Sequence, residues 1–415
     1  MTDESLPSLV APFVGERYGD TARMRDLIAP PYDVISPRQR EGYMKHHEHN
    51  IVRLILPEGN GDRYERAAAT LDSWRAAGVL RRDDAPSVYV VRQAFHTPDG
   101  DAHVRTGVIA AVAVEPYSMG RVKPHEKTHK GPIEDRLALT RSTRAMFEAL
   151  LMMARDEGRE LQDRLAAVTR IDPHVRATLD GVDITMWRVG EAGATDIADA
   201  ASRQDALYIA DGHHRYETAG IYRDETPAAD RTLALIVPLE DPGLVVLPTH
   251  RLVRGAPIDE AALRRSVGER FEVSRLDSPG DVQAELTGAD PGSTVCVVSL
   301  PGPEFFGVRL KRDADLSDLP FHDQPSVLAL DVAKIDRLIV DQLVTESGGG
   351  RSLGYEASDG MVIEAVISGG AAAGVLMNPT GLEQVLAVAD AGAFMPQKST
   401  YFAPKAPSGL VILGW

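Results

Sequence analysis

The 415-residue sequence contains a single cysteine, Cys296. One cysteine excludes an intramolecular disulfide framework and any zinc site built from several thiolates, and it is typical of proteins in a reducing compartment. Cys296 lies within the apolar residues 294–300, which have the pattern of a buried strand. We therefore expect this thiol to pack in a core and to have no nucleophilic role.

The sequence also lacks an uninterrupted apolar run of about 18 residues, which is the length that a membrane-spanning helix needs. Its first residues do not have the pattern of a secretory signal peptide. Positive charge is scarce, because 45 Lys and Arg stand against 61 Asp and Glu, a net charge of −16. This balance disfavours a surface that wraps nucleic acid or binds anionic lipid. We expect a cytoplasmic protein with no membrane partner. The charge disfavours a nucleic-acid partner without excluding it, and the sequence leaves a homo-oligomer open.

Helical and strand patterns alternate along the whole length, without an internal repeat, and predict a mixed α/β fold. The length exceeds that of one small core and predicts two or three domains. We expect an N-terminal segment at residues 1–84, a central core at residues 85–240 and a C-terminal α/β domain at residues 241–415.

Individual elements follow from the same patterns. The stretch SVYVVRQAF, followed by Pro-Asp-Gly and a second apolar strand at residues 104–114, predicts a hairpin. Helical periodicity predicts one long helix from Glu134 to about Ala167. In the C-terminal part, strands are predicted near residues 361–366 and 374–377.

The stretch ALYIADGHHRYETA at residues 206–219 places polar side chains where a predicted buried strand ends and a helix begins. Asp211 is predicted to cap that helix, and Gly212 lets the backbone bend and a ligand approach closely. The positive end of the helix dipole then coincides with a cation, which favours phosphate. An ordinary helix cap that faces water is the alternative. The predicted phosphate-binding residues are Asp211, Gly212, His213, His214 and Arg215.

A second polar stretch, RVKPHEKTHK, is rich in cations although the chain as a whole is acidic. Lys123 and Lys127 flank one carboxylate, Glu126, so the cluster can hold a polyanion and keep a base available. We predict Glu126 and His125 as catalytic residues and both lysines as phosphate-binding residues. A solvated basic loop is the alternative.

The same stretch contains HEKTH, the spacing at which two histidines on one helix bind zinc and the glutamate acts as base. A zinc hydrolase that uses His125 and His129 is therefore an alternative function. The pattern needs several helical turns, whereas Pro124, Gly131 and Pro132 crowd the motif. We therefore expect no metal site and no zinc.

The N-terminal segment contains the loop LIAPPYDVISP, in which two prolines stiffen the chain just before Tyr32 and Asp33. Rigid presentation suits a binding loop, so both residues are predicted to bind substrate. A plain strap between domains is the alternative.

The C-terminal tail contains Lys398 and Ser399 at the spacing of a phosphate-binding P-loop. Gln397 replaces the second glycine and Pro396 removes an amide, so a true P-loop is not expected. Lys398 and Ser399, with Thr400 and Lys405, are nevertheless predicted to line a phosphate pocket. Capping of a surface strand is the alternative.

VKPHEKT at residues 122–128 followed by ADGHHR at residues 210–215 resembles the signature of free-serine kinases with the ParB and sulfiredoxin fold. In those enzymes the PHE glutamate is thought to act as base and the DGHHR turn grips nucleotide phosphate. The resemblance implies the same roles for Glu126 and for residues 211–215. It also implies a ParB/sulfiredoxin-like core, ATP or ADP with Mg²⁺ as cofactor, and a small-molecule acceptor with free serine as first candidate.

Four separated blocks also resemble the family called domain of unknown function 1015 over nearly the full length. They are APPYDVIS, HEKTHKGPIEDR, DGHHRY and MPQKSTYFAPKAPSGL. That family implies no reaction by itself. From the resemblance to free-serine kinases, we expect a nucleotide-dependent phosphotransferase that acts on the hydroxyl of a small metabolite. A ParB-like nucleotide-binding switch that phosphorylates no metabolite is the alternative.

Overall fold

The computed structural model describes residues 7–59, 61–288, 290, 292–302, 304–348 and 353–415. The chain forms two compact units. Unit 1 comprises Met1–Pro124, Thr128–Val245 and Pro404–Trp415. Unit 2 comprises His125–Lys127 and Val246–Ala403. Helices and strands occur in both units, so the predicted mixed α/β class is confirmed.

Unit 1 begins with short elements that precede its main sheet. They are β1 (Val10–Ala11), β2 (Glu16–Tyr18), α1 (Met24–Leu27), α2 (Pro37–His46), α3 (Val52–Ile55), α4 (Arg63–Ala76) and β3 (Leu80–Arg82). Ser36 and Gln39 form a capping box at the start of α2, which the sequence analysis did not predict. Strands β2 and β3 pair with each other.

The main body of unit 1 alternates strands and helices. Its elements are β4 (Ser87–His96), β5 (Ala102–Ala113), β6 (Val122–Lys123), α5 (Lys130–Thr143), β7 (Ala145–Met146), β8 (Leu150–Ala154), α6 (Glu160–Val168), β9 (Val175–Leu179), β10 (Val182–Gly190), α7 (Glu191–Ser202), β11 (Leu207–Asp211), α8 (His213–Glu225) and β12 (Arg231–Pro238). In the described part of the chain, nine strands form one sheet in the order β6-β11-β8-β12-β5-β4-β10-β9, with β1 paired to β5. The predicted hairpin is confirmed as β4 and β5.

The core on one face of this sheet is formed by alternate residues of its strands. Every second residue points to the same face of a strand, and on this face those residues are apolar. They pack with apolar residues of α6 and α7 such as Leu161, Leu165 and Ile197. The strand residues of this core include Val88, Val90, Val108, Ala110, Val112, Leu150, Met152, Leu207, Ile209, Ala234 and Ile236.

The predicted single helix over residues 134–167 is wrong in its middle. Arg144, in the left-handed conformation with φ 51°, ends α5, and the chain then runs through β7 and β8 before α6 begins. All five residues of β8 are buried, and β8 lies between β11 and β12. A strand covered on both faces is a continuous apolar run, which periodicity cannot distinguish from a buried helix.

Unit 2 contains a second sheet. Its elements are β13 (Val245–Leu247), β14 (His250–Val253), α9 (Glu260–Val267), β15 (Phe271–Leu276), α10 (Asp281–Thr287), β16 (Val295–Leu300), β17 (Glu304–Leu310), α11 (Pro325–Leu328), α12 (Asp331–Ile335), α13 (Asp341–Glu346), β18 (Leu353–Glu356), α14 (Asp359–Ile367), β19 (Ala373–Met377), α15 (Leu382–Asp390) and β20 (Tyr401–Ala403). Among the described residues, six strands pair in the order β15-β17-β16-β19-β14-β18. Cys296 is buried in β16, as its strand pattern predicted.

The strand predicted near residues 361–366 is wrong, because these residues belong to helix α14. The hydroxyl of Ser358 accepts from the amide of Met361 at 3.4 Å and caps this helix. The strand predicted at residues 374–377 is confirmed as β19. The last strand, β21 (Leu413–Gly414), belongs to unit 1 and pairs with β7. No helix in the described ranges is both long enough and apolar enough to cross a bilayer.

The surroundings of two glycines in unit 1 predict opposite changes in stability when each is replaced by alanine. At Gly107 in β5, an added Cβ would lie 2.6 Å from the carbonyl oxygen of Ile236 in the neighbouring strand β12. Gly107→Ala should lower the free energy of unfolding by about 2 kcal/mol or more, because the sheet cannot make room. Gly42, in the middle of α2, has nothing within 4 Å of an added Cβ.

Gly42→Ala should therefore raise the free energy of unfolding by about 0.5 to 1 kcal/mol, since alanine loses less backbone entropy in a helix. Urea unfolding of both variants and the wild-type protein measures these changes. Equal stability of the two variants would contradict the pairing of β5 with β12.

Candidate functional site

The turn between β11 and α8 carries the DGHHR sequence. Strand β11 lies between β6 and β8 and ends at Asp211. Gly212 is the N-cap of α8 and has φ 96°, a left-handed conformation that only glycine adopts without strain. The prediction that Asp211 caps α8 is therefore wrong. Asp211 is the last residue of a strand, and its carboxylate binds two cations instead of the helix amides.

The carboxylate of Asp211 is shared by Arg215 and Lys405. Its Oδ2 accepts from Nη2 of Arg215 at 2.6 Å, and its Oδ1 accepts from Nζ of Lys405. Burial alone would raise the pKa of Asp211, but the charges of Lys405 and Arg215 hold this pKa well below its usual range. Nη1 of Arg215 also donates to the carbonyl of Ala149 at 2.6 Å. The guanidinium of Arg215 is thus buried and holds three parts of unit 1 together.

The backbone that presents Lys405 is itself held by polar side chains of the β4–β5 hairpin. Gln93 donates from Nε2 to the carbonyl of Lys405 at 3.1 Å. Arg105 donates from Nη2 to the carbonyl of Pro404 at 2.6 Å and to Oε1 of Gln93 at 2.5 Å. Burial lowers the pKa of Arg105 to about 10. The tail segment is therefore fixed in unit 1, which explains how Lys405 reaches Asp211.

The N-termini of α5 and α8 meet beside this turn. His129 is the N-cap residue of α5, and its backbone amide donates to Nε2 of His214 at 2.9 Å. The two imidazole rings stack with their centroids 5.8 Å apart. Because Nε2 of His214 accepts this bond, its ring proton lies on Nδ1. Neither N-cap residue, His129 or Gly212, caps its helix with a side chain of its own, and the bond between His129 and His214 holds two positive dipole ends together.

The other predicted residues of unit 1 lie in different environments. Lys123, in β6, has its Nζ 5.4 Å from the centre of the Tyr208 ring. His213 is buried, whereas its neighbour His214 is half-buried. Tyr32 and Asp33 lie in a single 3₁₀ turn that follows Pro31. Their predicted role in substrate binding stays a prediction.

A buried pair of charges lies beneath Tyr32. The amide of Tyr32 donates to Oε1 of Glu148 at 2.8 Å, and the guanidinium of Arg136 lies 4.0 Å from the centre of the Tyr32 ring. Burial, followed by the charge of Asp33, raises the pKa of Tyr32 to about 12. Burial also raises the pKa of Glu148 above its usual value. Arg136 opposes this shift but does not cancel it.

Both predicted catalytic residues, His125 and Glu126, and the predicted phosphate-binding Lys127 belong to unit 2. His125 is buried, and its Nε2 lies 3.3 Å from Oγ1 of Thr400. Glu126 is half-buried and forms a parallel β-bridge with Met395, while Nζ of Lys127 lies 5.7 Å from the centre of the Phe394 ring. The backbone of residues 125–127 is therefore extended and held in place. The catalytic role of His125 and Glu126 stays a prediction.

Lys398 and Ser399 also belong to unit 2. Lys398 has φ 54°, and its carbonyl accepts from Nη1 of Arg251 at 3.0 Å. Ser399 is buried and donates from its hydroxyl to the carbonyl of Pro396 at 2.6 Å. The hydroxyl of Ser399 is thus used by the local backbone, and the phosphate-binding role of both residues stays a prediction.

The zinc alternative required both histidines of HEKTH on one helix. Residues 124–129 are not helical, and α5 begins only at Lys130. No group of three or more His, Cys, Asp or Glu side chains that could hold a metal occurs in the described ranges. The backbone condition for a zinc hydrolase is therefore not met at this motif.

Sequence analysis gave Arg136 and Glu148 no functional role, and it did not consider Trp415. The signal for Glu148 was available, since it is the one carboxylate in the apolar run AMFEALLMMA. A charge inside such a run is rarely buried unless it is paired. No comparable signal identified Trp415, which reaches its place only through the pairing of β21 with β7.

A family model described as "Protein of unknown function (DUF1015)" matches residues 10–333. The chain belongs to the DUF1015 family. The match covers most of unit 1 and the first part of unit 2, and it confirms the expected membership. It contains three of the four sequence blocks, and the fourth, at residues 395–410, lies outside it. The search of curated proteins found no match for this family member.

Several solved structures are similar to this DUF1015 protein. Variants of a free serine kinase in complex with AMP or ADP are 14% identical, with a TM-score of 0.39, and the alignment covers 73% of this chain and 91% of theirs. A conserved hypothetical protein from Pyrococcus furiosus is 15% identical, with a TM-score of 0.35 and coverage of 72% and 93%. SbnI with a C-terminal truncation from Staphylococcus aureus is 10% identical, with a TM-score of 0.35 and coverage of 72% and 84%.

The ion network at Asp211 predicts a strong effect on stability. Asp211→Asn leaves Arg215 and Lys405 buried without their shared counter-charge, so the free energy of unfolding at pH 7 should fall by about 3 kcal/mol. Asp62→Asn, which removes an exposed ion pair with Arg66, is the control and should change little. Urea unfolding measures both variants.

The difference in free energy of unfolding between wild type and Asp211→Asn should also depend on pH in a defined direction. The folded-state pKa of Asp211 is depressed, so its contribution is complete above the ordinary aspartate pKa of about 4 and is lost as the pH falls further. The difference in free energy of unfolding between wild type and variant should therefore become smaller only below about pH 4. A gap that is constant down to pH 2, or absent at pH 7, would show that the network does not stabilise the fold.

Proposed function

We propose that this protein is a nucleotide-dependent phosphotransferase that acts on the hydroxyl group of a small metabolite. Free serine is the first acceptor to test, because the PHEKT and DGHHR motifs resemble those of free-serine kinases. The nucleotide phosphates would bind at the paired N-termini of α5 and α8, and Glu126 would act as the base.

The observation that carries this proposal is the hydrogen bond from the amide of His129 to the ring of His214. It holds two helix N-termini against each other, and each presents amide groups and the positive end of its dipole. Gly212 keeps one side of the turn free of a side chain. Two adjacent anion-binding helix ends suit a chain of phosphates better than a single charged group.

Arg215 contributes to this arrangement through position. Sequence analysis predicted a direct contact with phosphate, but the terminal nitrogens of Arg215 donate to Asp211 and Ala149. The guanidinium therefore fixes the shape of the turn and adds positive charge from below. Because Lys405 shares the same carboxylate, Asp211 is already neutralised when phosphate approaches.

Glu126 can serve as base because of its place in the chain. His129 follows Glu126 by three positions, so the two Cα atoms are at most about 11 Å apart. In the proposed reaction Glu126 takes the hydroxyl proton of the acceptor, the acceptor oxygen attacks the terminal phosphorus, and the shortened nucleotide leaves. Such a transfer depends mainly on positioning and on stabilisation of charge.

Magnesium is expected as the companion of the nucleotide. Mg²⁺ is commonly held by one or two carboxylates together with phosphates and water. Here Asp211 is occupied by two cations, and the described ranges contain no cluster of three metal-ligating side chains. The metal would therefore enter with the phosphates and supply neutralisation of their charge.

The paired helix ends predict different effects for the two histidines. His214→Ala removes the acceptor that ties α5 to α8, so nucleotide affinity should fall about tenfold, or about 1.4 kcal/mol. His129→Ala keeps the backbone amide that makes the bond and is the matched control, so its affinity should stay within about threefold of wild type. Isothermal titration with ATP and ADP measures both. Equal losses in the two variants would assign the effect to the ring stack and not to the helix ends.

The second functional prediction concerns Glu126. Glu126→Gln removes the proposed base but keeps the size of the side chain, so turnover should fall by about 10² to 10⁴. Nucleotide affinity should be unchanged or higher, because one negative charge disappears. Phosphoserine formed by wild type and variant with ATP or ADP and Mg²⁺ gives the comparison.

Each outcome of this assay discriminates between functions. Equal product from both proteins would exclude Glu126 as base. Nucleotide binding without product from any of a panel of small hydroxy metabolites would contradict phosphoryl transfer and would favour the nucleotide-binding switch.

A further inference from the structure

A small pocket that is partly open to solvent lies within unit 1. It is formed by the middle of α5, the first turns of α8, the chain between α5 and β8, and the last residue of the tail. Most of its wall is apolar. The apolar lining residues are Leu139, Ala145, Met146, Phe147, Ala219 and Trp415.

Three ionisable side chains line the same pocket. Arg136, Arg215 and Glu148 are each only 5% exposed. Two buried guanidinium groups and one buried carboxylate at an apolar cavity are costly to maintain unless they bind something or hold the fold together. Both arginines donate to backbone carbonyls, but some N–H groups of their guanidinium groups are not used in these hydrogen bonds. In the described structure the hydrogen bonds of Arg215 use Nη1 and Nη2, and none uses Nε.

Glu148 is only loosely paired. Its Oε1 accepts from the amide of Tyr32 at 2.8 Å, but the nearest guanidinium nitrogen, Nη1 of Arg136, lies 3.5 Å from Oε2. Charge-assisted hydrogen bonds between such groups are normally shorter than 3 Å. The second oxygen of Glu148 therefore makes no short charge-assisted hydrogen bond. A small ammonium group is the donor that suits a buried carboxylate in a cavity.

Trp415, another lining residue of the pocket, has an unsatisfied donor. Pairing of β21 with β7 places this residue, its amide donates to the carbonyl of Arg144 at 3.1 Å, and its ring lies 5.3 Å from that of Tyr222. Its indole Nε1 is buried and has no acceptor among the described residues. Buried indole N–H groups usually have a partner, so an acceptor in the pocket would complete this one.

We propose that this pocket binds a free α-amino acid with an apolar side chain. The carboxylate of the ligand accepts from Nε of Arg215 and from the indole of Trp415, and its ammonium group donates to Glu148. The side chain of the ligand packs against Leu139, Met146 and Phe147. This proposal goes beyond the phosphotransferase and does not depend on it, although Arg215 connects the pocket to the turn at Asp211.

The ligand chemistry can be tested on the wild-type protein without nucleotide. Isothermal titration with L-leucine, L-methionine and L-phenylalanine should show saturable binding to one site. Isocaproate lacks the ammonium group, isoamylamine lacks the carboxylate, and L-serine lacks the apolar side chain. Each should bind at least about tenfold more weakly than L-leucine, because one of the three contacts is missing.

Two variants and a control locate the site. Ala219→Leu fills the pocket and should abolish binding of L-leucine, whereas Gly220→Ala, the next residue of the same helix with nothing within 4 Å of an added Cβ, should leave it unchanged. Glu148→Gln should weaken L-leucine about tenfold or more and leave isocaproate unaffected, since only the ammonium contact changes. Circular dichroism and thermal unfolding check that each variant folds.

Several results would overturn the proposal. They are no binding of any of the three apolar amino acids, isocaproate or isoamylamine binding as tightly as L-leucine, and undiminished binding to folded Ala219→Leu. If Ala219→Leu fails to fold, the ligand series on wild type and the Glu148→Gln comparison still decide. Because no nucleotide is present, failure here says nothing about phosphoryl transfer, and the phosphoserine assay says nothing about this pocket.

Discussion

The turn at the end of β11 depends on one carboxylate shared by two cations. Asp211 binds both Arg215, one turn further along the next helix, and Lys405, which follows almost two hundred residues later. Removing these charges from water is costly, and their mutual attraction repays that cost only while all three are in place. The shape of the turn, the start of α8 and the return of the tail to unit 1 are therefore linked through a single group.

This constraint also determines what the turn can bind. The terminal nitrogens of Arg215 donate to protein oxygens, so the proposed binding of phosphate at this turn would depend mainly on backbone amides and helix dipoles. The bond from His129 to His214 brings a second helix end to the first. In the proposed function, such an arrangement would recognise phosphate by the positions of its amide groups. The same guanidinium forms part of the wall of the pocket proposed to bind an amino acid, so this pocket and the turn share one side chain.

The errors of the sequence analysis have physical reasons. The apolar run after Arg144 predicted a helix, but a strand covered on both faces has the same lack of alternation, and only its neighbours β11 and β12 show which is right. Asp211 was predicted as a helix cap because aspartate is a common cap residue. Its actual partners are distant in sequence, so local preference could not identify them.

By itself, the sequence determined the mixed α/β class, the β4–β5 hairpin, the strand that leads into DGHHR and the membership of the DUF1015 family. These features depend on local patterns of apolar residues, glycine and short motifs, which are readable without a fold. Only the tertiary structure decided that Lys405 neutralises Asp211, that α5 and α8 start side by side, and that Glu148 and Trp415 face one pocket. Each of these depends on contacts between residues far apart in the chain. The chemical type of such a residue is compatible with many partners, and only the folded sheet brings one of them into contact.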